Sequence, residues 1–180
     1  MHDSHLIAAL DVDYRDPIAV AAGVWFRGWS AATSEREAVA VFNEVADYRR
    51  GEFYRRELPC LLAVLAKGPE PRVVVIDGYV WLGEGRSGLG AHLYAALGRK
   101  IAVIGVAKTR YVSATEAMSV YRGKSRTPLY VSSVGVDVCQ AANWVASMDG
   151  PFRAPTHLKQ VDRLARTAPA ANSTASSLSG

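Results

Sequence analysis

The sequence predicts a mixed α/β fold: a sheet whose first three strands are antiparallel and whose later strands are parallel, with helices on both faces. Three observations predict it. Val73-Val74-Val75-Ile76 and Ile101-Ala102-Val103-Ile104 are short apolar runs rich in β-branched residues, as expected of strands covered on both faces. Residues 88–97 between them have helical spacing, so strand, crossover helix and strand make a parallel pair. Upstream, two apolar runs meet at Arg15-Asp16-Pro17, a turn signal that makes them a hairpin.

Taken in order, residues 6–13 form the first strand and 18–26 the second. Residues 27–34, with Gly28, Ser30 and Ser34, are a loop, and 35–42 alternate weakly as a third strand. A helix follows over about 54–67, because Leu58, Leu61, Leu62 and Leu65 have the spacing of a core face. Pro59 fits if it lies in the first turn, which places Glu57 at the helix N-terminus and leaning toward the buried side. Beyond the central unit, 113–126 are mixed and basic, 129–134 are a short strand and 138–148 are helical, with Asp137 as a cap or first-turn acid. Residues 154–166 make a last helix. The remaining Ala, Ser, Thr, Asn and Pro of 167–180 lack periodicity and read as a disordered tail, leaving one domain over 1–166.

At 180 residues with 49% hydrophobic content, the chain is long enough for one core. No apolar run approaches a membrane span. The opening MHDSHLIAAL has no charged segment leading into a long apolar one, so no signal peptide and a cytoplasmic location are expected. Cys60 and Cys139 have no zinc spacing and read as reduced thiols. The net charge of +4 is compatible with a polyanionic partner without establishing one.

In open α/β sheets chemistry gathers outside the carboxyl ends of the strands, where Asp77 and Lys108 fall. Asp11 interrupts an apolar strand, which costs free energy unless the carboxylate is paired or metal-bound. Glu57 is the third acid. Each has a plainer reading: Asp11 solvated beyond an early strand end, Asp77 a turn carboxylate, Glu57 stabilised by the helix dipole. Together, converging acids raise one another's pKa unless a cation neutralises them, and Mg²⁺ accepts such oxygen ligands while keeping waters and phosphates. A site of that kind supports in-line displacement at phosphorus. Arg49, Arg50, Arg55 and Arg56 interleave with Tyr48, Phe53 and Tyr54, either as a surface that grips phosphates and stacks bases or as a solvated loop and helix start. Gly83-Glu84-Gly85-Arg86-Ser87-Gly88 matches G-x-G-x-x-G, but five residues separate it from Asp77 and the next strand ends in Lys108 rather than an acid. That argues against a dinucleotide site, although the helix start beside Arg86 remains suited to a phosphate. The four histidines show no metal-ligand spacing.

The strand order is that of the ribonuclease H-like fold, though order alone does not distinguish it from other mixed α/β folds. Four segments add to it: Ile7-Ala8-Ala9-Leu10-Asp11-Val12, Arg56-Glu57-Leu58-Pro59, Val75-Ile76-Asp77-Gly78 and Val103-Ile104-Gly105-Val106-Ala107-Lys108. In order and spacing they resemble the ADV, FRE-x-P, VDGHG and TIGVAK segments of the endonuclease V family, over about residues 6–166. The resemblance implies a ribonuclease H-like, Mg²⁺-dependent endonuclease (Mn²⁺ being the alternative ion) acting on DNA or RNA near deaminated adenine; separately, a monomer is expected. It implies Asp11, Glu57 and Asp77 as metal-binding carboxylates, Lys108 near the scissile phosphate, and Asp137 as a fourth acid. Tyr48, Arg49, Arg50, Gly51, Arg56 and Arg86 would face nucleic acid. The segment matching the family's P-Y-[IV]-P-G wedge is Asp47-Tyr48-Arg49-Arg50-Gly51, without either proline, and the family's histidines after Asp-Gly and near Val134 are absent. A second reading therefore stays open: a catalytically weak nucleic-acid-binding module that kept the fold.

Overall fold

The structure is a computed structural model that describes residues 4–44, 47, 49–50 and 52–170. Its frame is a seven-stranded sheet. Strands β1 (Leu6–Arg15), β2 (Ile18–Arg27) and β3 (Arg36–Phe42) form an antiparallel meander. Strands β4 (Val73–Asp77) and β7 (Ala102–Ala107) then add in parallel beside β1. At the far side β9 (Leu129–Val134) pairs antiparallel with β7, and β8 (Met118–Val120) closes that edge, giving the order β3-β2-β1-β4-β7-β9-β8. The antiparallel-then-parallel order expected from the sequence is present, and the parallel part is β1, β4 and β7. Strand β9 reverses because residues 108–128 form a loop and β8 rather than a crossover helix.

Strand periodicity divides the core in two. Ile7, Ala9, Val73, Val75, Ile104 and Val106 face α3 (Val138–Ser147) and α4 (Thr156–Thr167). Ala8, Leu10, Val74, Ile76 and Val103 face α1 (Phe53–Leu65) and α2 (Leu89–Ala96). Strand β1 carries apolar residues on both sides and is buried from Ile7 to Leu10.

Two helix bounds differ from the expected ones, and the glycine-rich segment has a structure of its own. Helix α1 begins at Phe53, so Pro59 lies inside it and Glu57 in its second turn, not at its N-terminus. Pro59 is exposed, and the carbonyl its missing N–H would have bonded can turn toward solvent. The glycine-rich segment is a small hairpin, β5 (Trp81–Gly83) and β6 (Arg86–Ser87), with Gly88 as the N-cap of α2. Helix α4 runs one residue past the expected domain boundary at 166, and Ala168 beyond it is buried. Residues 171–180 of the expected tail lie outside the described residues. No helix among the described residues is long and apolar enough to cross a membrane.

Two arginines fix the elements around the carboxyl ends of the strands by bonding carbonyl oxygens. Arg15, held by Asp13 at 3.0 Å, donates to Ala165 O and Ala168 O and so caps the C-terminus of α4. Buried Arg122 donates to the carbonyls of Met148, Asp149, Gly150, Phe152 and Arg153, moulding the loop between α3 and α4 around its guanidinium. Truncation strands these carbonyls without a donor. Arg122→Ala is expected to destabilise the protein by about 3 kcal/mol, seen as a lower urea midpoint with an unchanged slope.

Candidate active site

Register brings the first two acids together. Leu10 pairs with Ile76 across parallel β1 and β4, so Asp11 and Asp77 follow at the same level of the sheet. Both share the parity of Ala9 and Val75, hence the face covered by α4. Val106 pairs with Asp77 on β7, and Lys108 follows that strand. Turning the chain so tightly after Asp77 depends on Gly105: a Cβ there would lie 2.5 Å from Gly78 O and 3.0 Å from Val80 N. Gly78 itself has φ 111°, a conformation that L side chains rarely adopt.

A cavity of about 60 Å³ opens at this edge. Asp11, Asp77, Lys108, Lys159 and Asp162 line it, with Leu10, Ile76, Val106, Leu129, Leu158 and Val161 among its apolar walls. Its volume suits a few waters or a hydrated ion rather than a nucleobase. Glu57 approaches from α1 and lies outside this lining, yet it interacts electrostatically with Asp11 and Asp77. Among the described residues, no group of three or more His, Cys, Asp or Glu side chains is gathered closely enough to hold a metal ion.

The electrostatics are those of like charges in a partly dry site. Burial foremost, then the charge of Asp77, pushes Asp11 up to about 7, against the opposing pull of the Val12 N–H and Lys108. Burial and then Asp11 and Asp77 push Glu57 up to about 8, with Arg56 opposing. Partial burial raises the pKa of Asp77 although it meets solvent at the mouth; Lys108 opposes this and Asp162 adds to it.

Asp137, expected as the fourth acid, is instead the N-cap of α3, accepting from the N–H groups of Cys139 and Gln140 at 2.9 and 3.1 Å. Asp162 of α4 is the third acid lining the cavity, paired with Arg166 at 3.0 Å. Sequence reasoning passed over it because an i, i+4 Asp–Arg pair is ordinary on an exposed helix face. The available signal was its place directly after Val161, on a helix whose buried stripe is His157, Val161 and Ala165.

The expected nucleic-acid residues are scattered. Arg49 and Arg50 are exposed, as is Arg86 on the β5–β6 hairpin. Arg56 is turned inward, its guanidinium 4.0 Å over the ring of Tyr14. Tyr48 and Gly51 lie outside the described residues.

Acids side by side on adjacent parallel strands, Asp11 within β1 and Asp77 at the end of β4, in this sheet order, define a ribonuclease H-like protein. Residues 1–144 match the family model of endonuclease V, and the chain belongs to that family. Asp162 lies beyond the matched residues, so its place rests on the geometry alone. An endonuclease V from Streptomyces avermitilis is similar in structure at 26% identity, with a TM-score of 0.76 over 91% of this chain and 81% of that one. Human endonuclease V, at 21% identity, gives 0.73 over 90% and 83%. The D234N endonuclease V of Ciona intestinalis, bound to DNA containing an inosine followed by a ribo-adenosine, gives 0.74 at 19% identity over 90% and 84%. No curated protein sequence matches the chain significantly.

The raised carboxyl groups make stability depend on pH. Asp11 and Glu57 titrate at about 7 and about 8 in the folded chain against ordinary values of 3.8 and 4.5. Across that window the folded state holds protons that the unfolded state has released, so stability falls as pH rises. Below it both states are protonated and the acids cost nothing. Asp11→Asn, denatured in EDTA, is therefore expected to exceed the wild type by roughly 2 kcal/mol above the window and to match it below.

Proposed function

We propose that the chain is a metal-dependent endonuclease that hydrolyses phosphodiester bonds in DNA or RNA. The observation that carries this reading is the meeting of Asp11, Asp77, Asp162 and Lys108 on one cavity where β4 and β7 end beside β1, with Glu57 interacting with it from α1. The donor set fits Mg²⁺ or Mn²⁺: hard carboxylate oxygens, partly desolvated and held near protonation by their neighbours, for which a divalent cation is the natural counter-charge. Asp11, Asp77 and Glu57 would have to draw closer together to hold the ion, with Asp162 beside them. When bound, the ion supplies an activated water and charge stabilisation at phosphorus.

The chain's own groups do the rest. Lys108 places an ammonium group at the cavity mouth, where negative charge builds on the phosphate. The apolar walls exclude bulk water and keep these interactions strong. Cleavage near deaminated bases is the finer part of the proposal, supported by family membership and by the inosine-containing DNA in the Ciona complex. One observation favours the weaker reading, a binding homologue with little catalysis. Tyr79 stands where the family has a histidine, and its hydroxyl is committed to the backbone: it donates to Thr109 O at 2.7 Å and accepts from Tyr111 N–H at 3.0 Å.

A nicking assay with Mg²⁺ on single-stranded DNA and RNA, each with and without one inosine, tests both readings. Cleavage that Asp77→Ala abolishes without lowering Tm is the expected result. Cleavage unchanged in that variant would overturn the assigned site, and salt-sensitive binding without cleavage would establish the weaker reading.

A further inference from the structure

A second concavity adjoins the first. About 450 Å³ in volume, it is lined by residues of the loop before α4 and of the helix's first two turns. Ala154, Lys159 and Asp162 line both spaces, so the two are continuous. Unlike the acid cavity, this one is large enough for a nucleotide.

Three features of its wall point to one kind of occupant. Phe152 is 59% exposed, and Lys159 Nζ lies 4.4 Å from the centre of its ring. A cation over one face leaves much of the ring open to solvent. Lys159 and Arg163 are exposed cations on the same wall, separated by one helical turn.

The ring is also rigidly presented. Arg122 bonds Phe152 O at 2.8 Å and Arg153 O at 3.2 Å from beneath. On the other side Arg153 donates to Lys108 O and Pro128 O, tying the loop to the strand end that carries the cavity's lysine. Thr156 Oγ1 donates to Asp149 Oδ2 at 2.6 Å and closes the loop onto α4. A ring carried on a loop so braced costs little backbone entropy when a flat partner stacks on it.

We propose that this groove carries the single strand of nucleic acid leaving the acid cavity, with Phe152 stacking one base and Lys159 and Arg163 gripping the phosphates beside it. The inference rests on the nuclease reading and adds the path of the strand and the position at which a base is held. Stacking on an aromatic ring tolerates any base, so this subsite contributes affinity and register without reading sequence.

The test measures binding in EDTA, so that no strand is cut, using short single-stranded oligodeoxynucleotides with one abasic position moved along the strand. Phe152→Ala is expected to weaken binding about tenfold, and Phe152→Trp to preserve it. The wild type should lose affinity when the abasic position reaches Phe152, and Phe152→Ala should be indifferent to it there. Lys159→Gln should reduce the salt dependence by about one phosphate contact. Wild-type affinity and an unchanged abasic profile in Phe152→Ala would overturn the subsite while leaving the nuclease reading intact. Failure of the wild type to bind any strand would overturn both.

Discussion

Two carboxylates held level on neighbouring parallel strands impose the condition that the rest of this molecule meets. The pairing of Leu10 with Ile76 fixes Asp11 beside Asp77, and neither residue can turn away without moving a buried strand. Like charges so placed repel, and the surrounding apolar residues deepen the cost. Lys108 offsets part of it, while Glu57 and Asp162 add to it from opposite faces of the sheet. Stability given up at one edge is recovered in the two apolar layers, where Trp25, Phe26, Ile7 and Leu61 are fully buried.

The acid edge is assembled from distant parts of the chain, and backbone carbonyls hold much of it together. Arg15 on β1 caps α4 and so sets the depth of Asp162 relative to Asp11. Arg122 shapes the loop that leads into α4, and Arg153 joins that loop to Lys108. Gly105 allows the backbone after Asp77 to approach β7. A side chain there would displace Gly78 first and Asp77 with it. The geometry of the acids is thus a property of α4 and its approach as much as of the central strands.

Much of the architecture was legible because local pattern and global fold agree. The runs around Val75 and Ile104 are apolar on every residue, the signature of strands covered on both faces, and the helix between them was visible in its spacing. The start of α1 was less legible because Pro59 is a breaker by propensity, yet it sits on an exposed face of a helix held by tertiary packing. The reversal of β9 was hidden, since alternation within a strand does not reveal the direction of its neighbours. Asp11 and Asp77 stood out as acids interrupting apolar runs. Asp162 was hidden: it lies inside a helix of largely polar sequence, whereas Asp137 begins a helix between two valines, and only the packing of α4 over β1 shows which of them reaches the cavity.

Arg122 and Arg153 bond neutral carbonyls rather than carboxylates, and that choice of partner reaches beyond the loop they hold. A guanidinium matched to a carboxylate becomes a local dipole whose field dies away quickly. One matched to carbonyls keeps its full charge as seen from a distance. Arg153 thus adds positive charge beside an acidic cavity, while Asp149 offsets part of the charge of Arg122, within a chain whose net charge is +4. On the proposed nuclease reading, a polyanion would meet the positive charge of this rim before the acids inside, so the scaffolding that shapes the entrance would also favour encounter.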